Sequence, residues 1–205
     1  MVVACAPVAS PARPLTYVAI GASDAVGVGA RDPDTEGWVP RFAARIGGNP
    51  RVLNLGVSGS TLAQALEEQL GPALDAQPDV VTVWLAVNDL NARVPLDRYA
   101  ADLDRLLGAL ASTRARVLVG NVPDLASLPV FAGSNQARVR AEVDRWNQVI
   151  AATAERHGAR VVDLHARWNE LAEHPEYVAQ DGFHPSSAGY ARLAELFVDS
   201  LDAAP

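Results

Sequence analysis

Lysine is absent from this chain of 205 residues: all 17 basic side chains are arginine. That excludes a Schiff-base lysine, a Ser–Lys dyad and a phosphate-loop lysine. Cysteine occurs once, at Cys5. No internal disulfide can form, and the N-terminal tail is a poor place for a catalytic thiol. His157, His165, His174 and His184 are the four histidines, and no pair has the i,i+4 spacing of a helical zinc site. Only ligands converging from separate loops would make a metal centre, so neither metal nor cofactor is expected. Apolar runs fall short of the ~18 residues that span a bilayer. Positive charge is also scarce: the formal net charge is -7, which argues against nucleic acid or an anionic membrane surface as the main partner.

What is present describes an ordinary globular protein, with 49% hydrophobic and 20% charged residues. Residues 1–14 read as a disordered tail. Within it, Val2-Val3-Ala4-Cys5 resembles a bacterial lipoprotein cleavage box, and the Ala, Pro and Ser residues after it resemble a spacer. Two readings stay open. If a signal peptide has been truncated, the protein is secreted or anchored through a lipid on Cys5; otherwise it is cytoplasmic.

From residue 15 to 202 the pattern is one α/β domain. Short apolar runs, Leu15–Gly21, Arg51–Leu55, Asp79–Ala86, Arg116–Gly120 and Arg160–Leu164, read as five strands. Between them, helical periodicity marks Gly37–Ile46, Ser60–Leu70 with Gly71-Pro72 as its stop, Pro95–Leu110, and about Ser134–His157. Pro185–Leu201 closes the series, and 166–180 is helical or irregular. Arg31–Glu36 and Asn121–Gly133 read as loops. The alternation implies parallel β-α-β units on one central sheet.

Four stretches carry chemistry. Ser23 follows the first strand, where open α/β sheets hold ligands; the competing reading is a turn serine capping a helix. Asp181 and His184 lie three residues apart in a Gly-containing turn, so the carboxylate can reach the imidazole and fix its tautomer, as a serine hydrolase requires of its acid and base. Gly56 can bring its N–H close to a ligand, and Asn88 can offer a side-chain N–H from the end of the strongest strand; with the Ser23 N–H they make a candidate oxyanion hole. Asp24 and Asp89 are expected to fix loops as hydrogen-bond acceptors. Gly27-Val28-Gly29 lacks the glycine and lysine of a phosphate loop, and no Gly-x-Ser-x-Gly elbow occurs.

The order Ser23, Gly56, Asn88, His184 resembles the four blocks of the SGNH hydrolases, the GDSL-type esterases, over about residues 17–200. The resemblance implies a three-layer, flavodoxin-like α/β/α sandwich with a five-stranded parallel sheet. It also implies Ser23 as nucleophile, Asp181 and His184 as its partners, and Ser23, Gly56 and Asn88 as oxyanion donors. Two positions depart from the pattern: Gly-Asp-Ser reads Gly21-Ala22-Ser23, and Gly-x-Asn-Asp reads Ala86-Val87-Asn88-Asp89. Hydrolysis of small or short-chain acyl esters is the expectation, without separating lysophospholipase, thioesterase, aryl esterase and carbohydrate deacetylase. An acyltransferase on the same triad and a non-catalytic flavodoxin-like binding module are the alternatives. Leu125, Leu128, Val130 and Phe131 either line an acyl pocket or pack onto the sheet or long helix.

Overall fold

The computed structural model describes residues 13–167, 170 and 173–203. Cys5 and nearly all of the expected tail lie outside them. Five parallel strands, β1 (Thr16–Gly21), β2 (Arg51–Asn54), β3 (Val80–Trp84), β4 (Arg116–Gly120) and β5 (Arg160–Val162), form one sheet in the order β2-β1-β3-β4-β5. Every residue of β1 and β3 is buried, as near-continuous apolar runs require of central strands covered on both faces. The order reverses between β1 and β3. In open parallel sheets such a switch point opens a crevice beyond the strand C-termini.

Ten helices complete the described chain: α1 (Ser23–Val26), α2 (Pro33–Glu36), α3 (Trp38–Arg45), α4 (Leu62–Glu68), α5 (Leu70–Asp75), α6 (Val87–Asn91), α7 (Leu96–Ala111), α8 (Gln136–Arg156), α9 (Leu164–Arg167) and α10 (Ser187–Asp202). α3 and α10 pack together on one face, and α7 packs on α8 and α4 on the other. Aromatic rings fill the first interface. Trp38 stacks on Phe197 at 4.5 Å and meets Trp84 edge-on at 6.2 Å. On the opposite side, Tyr99 and Trp146 lie 4.5 Å apart.

Three expectations need correcting. The helix expected over 60–70 does end before Gly71-Pro72, at Glu68, but a second helix, α5, follows with that pair in its first turn. The break falls at Gln69 because Pro72 has no N–H for the Glu68 carbonyl and its ring crowds that carbonyl; the Gln69 side chain turns inward to the backbone of Gly21. The loop at 31–36 contains α2, whose N-cap Asp32 accepts from the Asp34 N–H. The loop at 121–133 contains two 3-10 turns, Leu125–Ser127 and Pro129–Phe131. Among the described residues no helix is long and apolar enough to cross a membrane.

Candidate active site

Ser23 opens α1, two residues beyond the end of β1, and is nearly buried. The backbone before it is clamped from the side. Gln69 Oε1 accepts the Gly21 N–H at 3.0 Å, and its Nε2 donates to the Gly21 carbonyl at 3.0 Å. A buried side-chain amide thus pairs with the strand end as a neighbouring strand would.

His184 arrives from the other end of the chain on a tight loop. Val178 bridges Pro185 in antiparallel fashion, and the Ala179 N–H donates to the His184 carbonyl at 2.8 Å. At the loop's tip Gly182 takes φ +71°, open to glycine at little strain. α10 begins directly after, capped by Ser186, whose hydroxyl accepts from the N–H groups of Ala188 and Gly189. Two bonds join this end of the chain to the segment following Ser23. Tyr190 Oη donates to the Val28 carbonyl at 2.6 Å, and the Arg31 N–H donates to Ser187 Oγ at 3.0 Å.

These elements bring Ser23, His184 and Asp181 into one chain of hydrogen bonds. Ser23 Oγ lies 3.0 Å from His184 Nε2, and His184 Nδ1 lies 2.6 Å from Asp181 Oδ2. A carboxylate on Nδ1 selects the tautomer with the proton there, which leaves Nε2 as acceptor for the serine hydroxyl. Asp181 Oδ1 accepts the N–H groups of Phe183 and His184. Partial burial raises its pKa, but the bonds from the imidazole and the two amides outweigh burial and hold the carboxyl below its ordinary value.

Asn88 stands in α6, after β3, with one amide hydrogen donated to the Ser60 carbonyl at 3.0 Å. The amide keeps a second N–H. The Ser23 N–H makes no hydrogen bond among the described residues. Gly56 departs from expectation. Its N–H donates to Asn54 Oδ1 at 3.1 Å, while Asn54 Nδ2 donates to the Ala25 carbonyl at 2.6 Å. Gly56 is glycine for space: a Cβ there would lie 2.6 Å from that of Ala25. Three residues on, the Ser60 N–H closes a turn onto Val57 O at 3.0 Å, and Gly59 holds φ +84°. That φ belongs to the third position of a type II turn, whose central peptide leaves its N–H outside the turn's own bond. The Gly59 N–H has no acceptor among the described residues, and Asn88 grips the adjacent Ser60. Sequence reasoning missed Gly59, although Ser-Gly in a four-residue turn was a visible signal.

The two acidic neighbours separate. Asp89 fixes a loop as expected, taking the Leu62 N–H at the start of α4 with both oxygens, at 3.2 and 3.0 Å. Burial raises its pKa to about 6. Asp24 does not fix a loop; the donor its carboxylate finds is its own backbone N–H.

Two small adjoining cavities of about 10 and 30 Å³ share Asp24, Trp84, Val87 and Phe183 as walls. The smaller touches Ser23 and Asn88; the larger runs beneath His184 to Leu125 and Leu128. Leu125 and Leu128 are thus pocket residues. Val130 is 56% exposed, and Phe131 packs on Phe183 with centroids 6.5 Å apart. Among the described residues no group of three or more His, Cys, Asp or Glu is placed to hold a metal ion.

Comparison with known proteins places the chain in a family. The acetylxylan esterase of Geobacillus stearothermophilus is 28% identical over 164 residues, 74% of this chain and 72% of that protein. The crystal structure of Axe2, an acetylxylan esterase from Geobacillus stearothermophilus, superposes with a TM-score of 0.76 at 23% identity, covering 93% of this chain and 95% of that one. TesA superposes at 0.74 with 23% identity, covering 91% and 98%. These two structures share the fold. Residues 19–192 match the GDSL-like Lipase/Acylhydrolase family; the chain belongs to that family and is a serine carboxylic ester hydrolase.

Proposed function

We propose that Ser23, His184 and Asp181 hydrolyse short acyl esters, acetyl esters foremost, through an acyl-enzyme. The observation that carries the reading is the Ser23–His184–Asp181 bond chain, 3.0 and 2.6 Å long. His184 Nε2 takes the Ser23 proton as Oγ attacks the ester carbonyl carbon. Asp181 steadies the imidazolium, which then hands its proton to the departing alkoxide. Water repeats the sequence in reverse and frees the acid. Charge on the tetrahedral oxygen is met by the Ser23 N–H and the second Asn88 amide hydrogen. The Gly59 N–H replaces Gly56 as third donor in this scheme, since the Gly56 N–H is already bonded to Asn54.

The short acyl group is supported by the small size of the cavities beside Ser23 and His184, about 10 and 30 Å³. A hydroxylated carrier is suggested by the acetylxylan esterase relative. The test is covalent labelling with a fluorophosphonate, alongside rates on 4-nitrophenyl esters of rising chain length. Ser23→Ala is expected to lose all labelling, and kcat/KM to fall steadily beyond butyrate. Labelling that persists in Ser23→Ala puts the nucleophile elsewhere.

A further inference from the structure

Asp24 is the unexplained residue of the site. It follows Ser23 directly in α1 and forms part of the wall of both cavities. The other shared walls, Trp84, Val87 and Phe183, are hydrocarbon or aromatic. Neighbouring carboxylates are all satisfied by other residues: Asp181 by the His184 ring and two amides, Asp89 by the Leu62 amide. The Asp24 carboxylate has its own backbone N–H alone among the described residues. Burial pushes it up to about 6, with His184 opposing that rise and Asp181 adding to it. Asp24 is half-buried and lines both cavities, so its spare acceptor sites are open to water or to a ligand. A polar group so placed is what orients a ligand in an otherwise apolar pocket.

We propose that Asp24 is a specificity-determining residue: its carboxylate accepts a hydrogen bond from a hydroxyl of the substrate held beside the scissile ester. This rests on the ester-hydrolase reading above. A neutral donor suits the site better than an ammonium group, because His184, which lines the same cavity, becomes cationic in each half of the reaction and repels a second cation. The hydroxyl has two sources, the acyl chain or the alcohol carrier, and the test separates them.

Two substrate pairs differ by hydroxyl content: 4-nitrophenyl 3-hydroxybutyrate against 4-nitrophenyl butyrate, and glyceryl monoacetate against ethyl acetate. The quantity read is the kcat/KM ratio within each pair, in wild type, Asp24→Asn and Asp24→Leu. Dissociation constants for the same pairs are measured calorimetrically in Ser23→Ala, with and without Asp24→Leu, so that the result does not depend on turnover. Asp24→Leu is expected to lower the hydroxyl preference about tenfold or more in one pair, the size of one hydrogen bond to a charged acceptor. Asp24→Asn, which keeps an acceptor oxygen, retains part of it. A drop in the first pair assigns the acyl chain, and one in the second the carrier. Unchanged ratios in both pairs, in rates and in binding, overturn the proposal. Wild type inert towards every ester overturns the hydrolase reading instead, while the binding ratios still decide the role of Asp24.

Discussion

At the scale of single residues, Asn88 and Ala86 illustrate opposite demands on one short loop. Asn88 has one amide hydrogen committed to Ser60 and one to spare. Asn88→Ala is expected to lower kcat by about 10²–10³-fold, the usual loss for one oxyanion donor, with KM changing little in steady-state assays. Ala86 is buried at φ +95° and ψ -42°, a conformation glycine adopts with far less strain. Ala86→Gly is expected to raise stability by about 1 kcal/mol in urea titration, strain relief outweighing the added freedom of the unfolded chain. The meeting of Ser23, Asp181 and His184 was legible in the sequence from residue type, the short Asp181–His184 spacing and the place of Ser23 after a strand. The Gly56 donor was misread because its N–H is claimed by Asn54, a side chain whose direction no spacing rule reveals. Asp24 was read as a loop acceptor for the same reason.

Among the elements, the strands were the most readable: apolar runs bounded by glycine or polar residues marked β1, β3 and β4 to within about two residues. The division between α4 and α5 was half legible: Pro72 interrupts the helix bonding, but the resumption of helix at Leu70 and the reach of Gln69 across to β1 were hidden. That contact predicts a coupled phenotype. Gln69→Leu leaves the Gly21 N–H unpaired in a buried setting, while its carbonyl keeps the Val57 N–H at 3.3 Å, a loss of about 1–3 kcal/mol. The strand end two residues before Ser23 then loses its anchor. Both the urea midpoint and kcat are expected to fall, kcat more than KM rises. A fall in stability with kcat intact at low temperature shows that the clamp supports the fold without aiming the nucleophile.

For the whole molecule, stability depends on a buried carboxylate, Asp89, that the proposed chemistry does not use. Burial raises Asp89 from the ordinary 3.8 to about 6, so between those values the folded state holds a proton that the unfolded chain has released. Folding is therefore weakened as pH rises through this window, and the deficit stays constant above it. Asp89→Asn keeps an oxygen for the Leu62 N–H and removes the charge. Its melting temperature relative to wild type is expected to rise more at pH 7.5 than at pH 4, read by calorimetry at both. An equal difference at the two pH values dissociates Asp89 from the effect. A further consequence lies in the distance along the chain between the proposed catalytic partners. Ser23 and His184 are 161 positions apart, and domains grow on the ribosome from the N-terminus at roughly 5–20 residues per second. On the triad proposed above, the serine emerges seconds before its base and stays an unactivated alcohol until that histidine is made.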